Sequence, residues 1–329
     1  MPAHSSMSRA TTTWYLPSLP YTTGAMLLGL ALVCVAAVSW GTTGSVMSLL
    51  ARDGAPSPLL VGWARMAGAA PCLLVATYAI RSGLASSERA SRPAGRWTWM
   101  DRAKAAVLGI AMAAYQLCYF WAVPRTGVAL TALLAICSAP IMITAGAALV
   151  LKERPGRSTL VALLLAVAGT AMVLAGPRAA GSRPPDFAAG VVAAIGAGLS
   201  YAVYAVTAKG LLHRAAPLPL AAVTFSLAAL LLTPALVAES NVAAQLAAGW
   251  PLLVYLGVVP TAAAYVIFGA GLRRVTVTAA GIATLLEPVT ASALGVLVFG
   301  EGLGTMGWVG AAILLGALAM LARSGSGRQ

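Results

Sequence analysis

The stretch LLEPVTASALGVLVFGE, residues 285–301, places an acid, Glu287, directly before Pro288 in an otherwise apolar run. What a carboxylate and a helix-breaker do side by side depends on the solvent around them, and the rest of the chain identifies that solvent. Of 329 residues 60% are hydrophobic and only 9% charged, where a soluble domain carries about 25% charged residues. Such a chain lacks the means to hydrate a surface. Apolar segments long enough to cross a bilayer as helices recur from end to end.

Ten spans are predicted: 26–50, 58–80, 103–123, 127–151, 158–176, 188–210, 217–238, 250–270, 277–299 and 304–322. The longest connection is 81–102, too short for a soluble domain. Strand-type alternation is absent, which argues against a β-barrel. The first span is not a signal peptide in any useful sense, because nine follow it.

The net charge of +13 would fit a nucleic-acid binder, but its placement does not. With the N-terminus inside, Arg9, Arg81, Arg89, Arg92, Arg96, Arg102, Lys104, Lys152, Arg154, Arg157, Lys209, Arg214, Arg273, Arg274, Arg323 and Arg328 face the cytoplasm. These are 16 of the 21 basic residues. Arg52, Arg125, Arg178 and Arg183 face outward, and Arg65 lies inside the second span. This asymmetry follows the positive-inside rule. It orients a multi-pass protein of the cell (inner or plasma) membrane with both termini cytoplasmic, and favours anionic lipid. No nucleic-acid partner is implied.

The chain repeats itself weakly. TALLAICSAPIMITAGAALVLKE (131–153) overlies AAGIATLLEPVTASALGVLVFGE (279–301), pairing Pro140 with Pro288 and Glu153 with Glu301 at an offset of 148. Ala132, Ala135, Ala145 and Leu149 also meet identical residues. AVSWGTTG (37–44) echoes GLSYAVYA (198–205), pairing Ser39 with Ser200 and Trp40 with Tyr201 at an offset of 161. The expected organisation is a cytoplasmic tail (1–25), a five-helix repeat (26–176), a Gly/Pro/Arg-rich linker (177–187), a second repeat (188–322) and a cytoplasmic tail (323–329). Because five is odd, the second repeat enters the membrane from the opposite side. The fold class is therefore an all-α integral membrane protein of ten transmembrane helices in two inverted five-helix repeats, an architecture of secondary transporters.

Pro140 and Pro288 each stand 11 residues from the inner end of their span, ~16 Å deep at ~1.5 Å per residue. Each removes one backbone N–H. Freed backbone groups are tolerated at that depth only against protein or a water-filled cavity. Mid-membrane helix breaks are expected at both, with a substrate site beside them.

These residues resemble the EamA-type families of the drug/metabolite transporter superfamily. The likeness rests on LLEPVTASALGVLVFGEGLG (285–304) and its counterpart ICSAPIMITAGAALVLKERPG (136–156): a proline, twelve residues, then a glutamate at a span's end, twice in one chain. It covers both halves. The resemblance implies a ten-helix exporter of amino acids or other small metabolites, often driven by protons. It does not name the substrate.

Two ionisable residues lie deep within spans, Glu287 and Arg65. Each costs at least ~2.5–3.5 kcal/mol facing lipid at mid-bilayer, and their depths differ by only a few ångströms. They are expected to meet in a central cavity in at least one state. Three roles stay open for Glu287: carrying a coupling proton, binding a substrate ammonium, or neutralising Arg65. Trp40, Tyr115 and Tyr201 are deep enough to line the pathway, each with an apolar body and a polar tip. Tyr119, Tyr204 and Tyr265 read instead as interfacial or packing residues, and Glu153 and Glu301 as helix-end residues bonded to neighbouring loops. Ala291/Gly295 and Ala312/Gly316 allow close helix contact within the chain or across a homodimer.

Cys34, Cys72, Cys118 and Cys137 lie in spans without metal-ligand spacing, so no disulfide framework, metal site or cofactor is expected. No intramembrane His and no GxxxxGK[ST] or HExxH motif is present, which argues against an enzyme. The reading is an exporter by alternating access, with a small-molecule substrate, membrane lipid and protons as partners. A facilitative uniporter, an importer and, further off, a channel are the alternatives.

Overall fold

The computed structural model describes residues 23–50, 56–85, 97–174, 185–300 and 304–326. The tails, the centre of the 81–102 connection, most of the linker and Glu301 lie outside these.

Ten apolar helical spans long enough to cross a membrane run through the described residues, which contain no strand. Six are single helices: α1 (Thr23–Leu50), α2 (Pro58–Ala85), α3 (Trp99–Thr126), α5 (Arg157–Leu174), α6 (Phe187–Leu211) and α12 (Gly304–Ser326). The fourth is α4 (Val128–Gly146), ending in a π-helical turn, Ala147–Leu151. The seventh is α7 (Pro217–Leu232) with a 3-10 turn, Thr233–Ala238. The eighth is assembled from α8 (Val242–Gly257), a π turn at Val258–Ala263 and α9 (Ala264–Leu272). The ninth consists of α10 (Val277–Ala283) and α11 (Leu286–Phe299). The eighth span starts eight residues before its expected beginning at 250, because AAQLAAGW (243–250) is apolar enough to extend the helix through Pro251.

Local chemistry sets several ends. At α3, Thr98 and Asp101 form a reciprocal capping box, which satisfies amide donors a helix start leaves open. Arg214, in the turn after α6, reaches Asp101 at 3.4 Å and ties that turn to the start of α3. Thr276 accepts from the Ala279 amide to start α10.

The helix contacts carry the symmetry of the repeat. The third span packs on the sixth as the eighth packs on the first. The fourth packs on the sixth as the ninth does on the first, and the third on the seventh as the eighth on the second. Three further contacts, second on seventh, fourth on ninth and fifth on tenth, pair a span with its own mate. That is the pattern produced by a two-fold axis exchanging the halves.

Glycines let these crossings close. A Cβ on Gly169 would lie 2.7 Å from Gly310 O, and one on Gly310 would lie 2.6 Å from Gly169 O. Gly29 and Gly271 approach in the same mutual way between the first and eighth spans. In contrast, Ala312 and Gly316 are exposed and a Cβ on Gly316 would touch nothing, while Gly295 is buried. Outward faces are apolar throughout (Val75, Leu164, Val192, Leu230, Leu297), as lipid requires.

The expected break at Pro140 is not present. α4 runs through Pro140 without interruption, and the Thr144 hydroxyl donates to the Pro140 carbonyl at 2.8 Å. In the ninth span the helix is interrupted at Thr284 and Leu285. Pro288 then lies in the first turn of α11, where a missing N–H is tolerated. The interruption is stitched by short-range bonds: Leu285 N–H to Ile282 O at 3.1 Å and Glu287 N–H to Thr284 O at 3.0 Å. The equivalent prolines thus sit in different local structures.

Candidate functional site

Glu287 projects from the first turn of α11, beside the interruption. Its backbone is gripped by α1: a Cβ on Gly41 would lie 2.7 Å from Glu287 O and 2.6 Å from Thr290 Cβ. Only glycine permits this approach, so Trp40, the residue before it, is brought to the same level. The Glu287 side chain is half-buried and makes no hydrogen bond or ion pair among the described residues.

Arg65, on α2, is buried. Its Nε donates to Thr261 Oγ1 at 3.4 Å. Thr261 lies within the π turn of the eighth span and itself donates to Leu256 O at 2.7 Å. Such turns widen the backbone spiral by one residue, here at the level where Arg65 must be met. Arg65 and Glu287 lie in each other's electrostatic range, but no ion pair joins them; ion pairs among the described residues include Arg125–Asp186 and Arg214–Asp101. The meeting of Arg65 and Glu287 expected in at least one state is not made as an ion pair in this one. Tyr115, Tyr119 and Tyr265 lie within range of both charges, which places the acid and the base on one interior region.

An aromatic chain runs across that region. Tyr119 stacks on Tyr115 (centroids 5.8 Å apart), Tyr115 lies 6.1 Å from Tyr201, and Tyr201 meets Trp40 edge-on at 6.2 Å. Trp40 continues to Tyr265 at 4.8 Å and Phe268 at 5.4 Å, and Tyr265 to Tyr204 and Phe225. Trp40, Tyr115 and Tyr201 are thus brought together. Tyr204 and Tyr265, read as interfacial or packing residues, lie buried in the same cluster. Their depth in the sequence did not reveal which way they face.

Several buried polar atoms have no hydrogen-bond partner among the described residues, Trp40 Nε1, Tyr201 Oη, Ser39 Oγ, Thr43 Oγ1 and Gln116 Oε1 among them. Leaving such a group unpaired costs about 1–3 kcal/mol. Trp40 and Tyr201 belong to the aromatic chain, so two of these unmet polar atoms lie within it. Glu153, from the far end of the fourth span, accepts from the Val277 amide at 3.0 Å and from the Thr278 hydroxyl at 3.2 Å.

The profile of the EamA-like transporter family matches residues 27–175 and again 188–323. The chain belongs to this family. Its two matches coincide with the five-helix halves, so this EamA-like transporter is built from two copies of the family's domain. It is 35% identical over 290 residues to the uncharacterized transporter YwfM of Bacillus subtilis (strain 168), covering 86% of this chain and 90% of that one. An uncharacterized transporter of Archaeoglobus fulgidus is 32% identical over 197 residues, 60% of this chain and 68% of that one. A solved crystal structure superposes with a TM-score of 0.73 over 92% of this chain and 98% of its own, at 20% identity. That last likeness concerns the fold.

Proposed function

We propose that this transporter is a secondary active exporter of small zwitterionic metabolites, amino acids and related amines among them, working by alternating access. One observation carries the substrate class: Arg65 and Glu287 face one interior region with opposite charge and no ion pair between them. Two unpaired charges in a site of low dielectric are costly. A ligand carrying a carboxylate and an ammonium relieves both, with the carboxylate at Arg65 and the ammonium at Glu287. The unmet polar atoms of Trp40, Tyr201 and Gln116 supply the remaining contacts.

Glu287 also offers a route to coupling. One carboxylate that takes either a proton or a substrate ammonium makes the two compete, and competition at a site that faces each side in turn gives exchange. Outward movement of substrate would then accompany inward movement of protons. Without such competition the same fold works as a uniporter or an importer.

The difference between the repeats supports alternating access. All nine residues of 277–285 are buried. Of their mates at 129–137, Thr131 and Ala135 are buried and the other described side chains are half-exposed. One sequence pattern in two environments is what a state closed at one end and loose at the other produces. With the basic residues inside, the closed end is cytoplasmic and this state opens outward.

The test compares metabolites in the medium of cells producing the wild type and Glu287→Gln at matched membrane levels. The expected result is enrichment of a zwitterionic compound by the wild type alone. Equal enrichment by both would remove Glu287 from the mechanism, and enrichment by neither would overturn export.

A further inference from the structure

The segment joining α9 to α10, 272–278, is held from both sides by residues distant in sequence. Lys209, near the end of α6, is 4% exposed. Its Nζ donates to Leu272 O at 2.7 Å and to Val275 O at 2.5 Å. These are carbonyls at and just past the C-terminus of α9, where a helix leaves acceptors unmet and carries partial negative charge. Three residues later the polarity reverses. The first amides of α10 are unmet donors, and Glu153 receives them, through Val277 N at 3.0 Å and Thr278 N at 3.5 Å, together with the Thr278 hydroxyl. A cation thus sits on the helix end that needs one, and an anion on the helix start that needs one. Lys209 and Glu153 also attract each other. Glu153 belongs to the first half and Lys209 to the second, so the clasp spans the repeat boundary.

The two-fold mate of this arrangement is incomplete. At the offset of 161 that pairs Trp40 with Tyr201, position 209 corresponds to Ser48. Ser48 is exposed and turns its hydroxyl back to Gly44 O at 3.2 Å. The end lacking the lysine is also the end where 129–137 is loosely buried.

We propose that Lys209 and Glu153 form a latch that holds the 272–278 segment shut, so that this end of the transporter opens only when the latch lets go. The inference rests on the alternating-access reading and names the contacts that would set its resting state. A lysine on one side and a serine on the other biases the resting chain toward closure at the lysine end. To open that end, Leu272 and Val275 carbonyls and the α10 amides must find water or new partners. The latch is therefore the main polar barrier on that path.

The test uses three single-cysteine reporters in the full chain, in nanodiscs, with Cys34, Cys72, Cys118 and Cys137 replaced by serine. Ala280→Cys reports the latched end; Ala280 is fully buried. Ala132→Cys reports its two-fold mate. Ala166→Cys, in the fully buried contact side of α5, reports global loosening. Labelling by a membrane-impermeant maleimide is timed for each. With the latch intact, Ala132→Cys reacts at least about tenfold faster than Ala280→Cys. Adding Lys209→Met speeds Ala280→Cys at least about tenfold and leaves Ala166→Cys unchanged, while Lys209→Arg restores slow labelling. Where Lys209→Met does not fold, Glu153→Ala is read the same way. An unchanged Ala280→Cys rate overturns the latch. So does acceleration of all three reporters together, which marks a merely structural lysine. Slowing of Ala132→Cys in the same variants supports exchange between the two ends. If Ala280→Cys accelerates and Ala132→Cys does not slow, the latch stands and the alternating-access reading fails.

Discussion

Trp40 and Tyr201 stand edge to face with their ring centroids 6.2 Å apart, and they occupy equivalent positions in the two halves of the chain. The two repeats therefore touch through matched aromatic residues at their centre. The indole Nε1 and the phenol Oη both lack a hydrogen-bond partner among the described residues, so the contact is made by ring faces and edges while the polar tips remain available.

Removing the Tyr201 hydroxyl tests what that tip is for. Tyr201→Phe deletes a buried polar atom with no partner, so thermal stability is expected to hold or rise, by up to about 1 kcal/mol. Apparent affinity for the transported compound is expected to fall about fivefold, roughly 1 kcal/mol. A melting curve and a concentration series of transport check both. A fall in stability together with unchanged affinity would make Tyr201 a packing residue.

Gly41 and Gly44 form a matched pair one helical turn apart on α1. A Cβ at 41 would lie 2.6 Å from Thr290 Cβ, whereas one at 44 meets nothing within 4 Å. Gly41→Ala is expected to cost about 1–3 kcal/mol by overpacking and to impair transport by displacing Glu287. Gly44→Ala is expected to be neutral or slightly stabilising, up to about 1 kcal/mol. Chemical or thermal unfolding of the two variants in the same detergent distinguishes them.

Thr261 holds the Arg65 Nε and is expected to act as a positioning residue. Thr261→Val keeps the shape and removes the acceptor. Apparent affinity should fall several-fold, about 1 kcal/mol, with the maximal rate little changed, and Thr261→Ser should restore affinity. If Ser and Val behave alike, the hydroxyl does not orient Arg65.

At the start of α3, Asp101 serves both the cap and the ion pair, whereas Arg214 serves the ion pair. Asp101→Ala removes the reciprocal box with Thr98 and is expected to cost about 1 kcal/mol. Arg214→Ala removes only the half of the 3.4 Å pair that is exposed to solvent and should cost less than about 1 kcal/mol. Neither should alter which compound is transported. Thermal melts with a parallel transport assay check this.

Much of the fold was legible in the sequence because lipid imposes a simple rule: runs of apolar residues must be helices long enough to cross. The offset between Pro140 and Pro288 exposed the repeat, and the charge asymmetry suggested its orientation. The local outcome at those prolines was not legible. A proline breaks a helix or not according to what takes up the freed carbonyl and where the helix starts. In the ninth span the interruption falls at Thr284–Leu285 and puts Pro288 in a first turn. In α4 the helix simply continues.

The site was legible in part. Glu287, Arg65, Trp40, Tyr115 and Tyr201 stood out as polar or amphipathic groups at depth. Tyr265 did not, because hydropathy gives depth and not facing. The π turn at Val258–Ala263 inserts a residue and so changes the face on which Tyr265 and Phe268 emerge. Lys209 read as one more orienting charge, because the carbonyls it binds are 63 and 66 residues away in sequence.

The central claim is that Arg65 and Glu287 are held apart to receive the two ends of a zwitterion. The most direct measurement is competition in proteoliposomes, using the compound enriched by the wild type as labelled substrate. Its N-acetyl derivative and its carboxamide serve as competitors. The account predicts that neither derivative competes within about tenfold of the parent, because each forfeits one charge contact of roughly 1.4 kcal/mol or more. It further predicts that Glu287→Gln no longer distinguishes the N-acetyl derivative from the parent. Competition by both derivatives as strong as that of the parent, in the wild type, would contradict it.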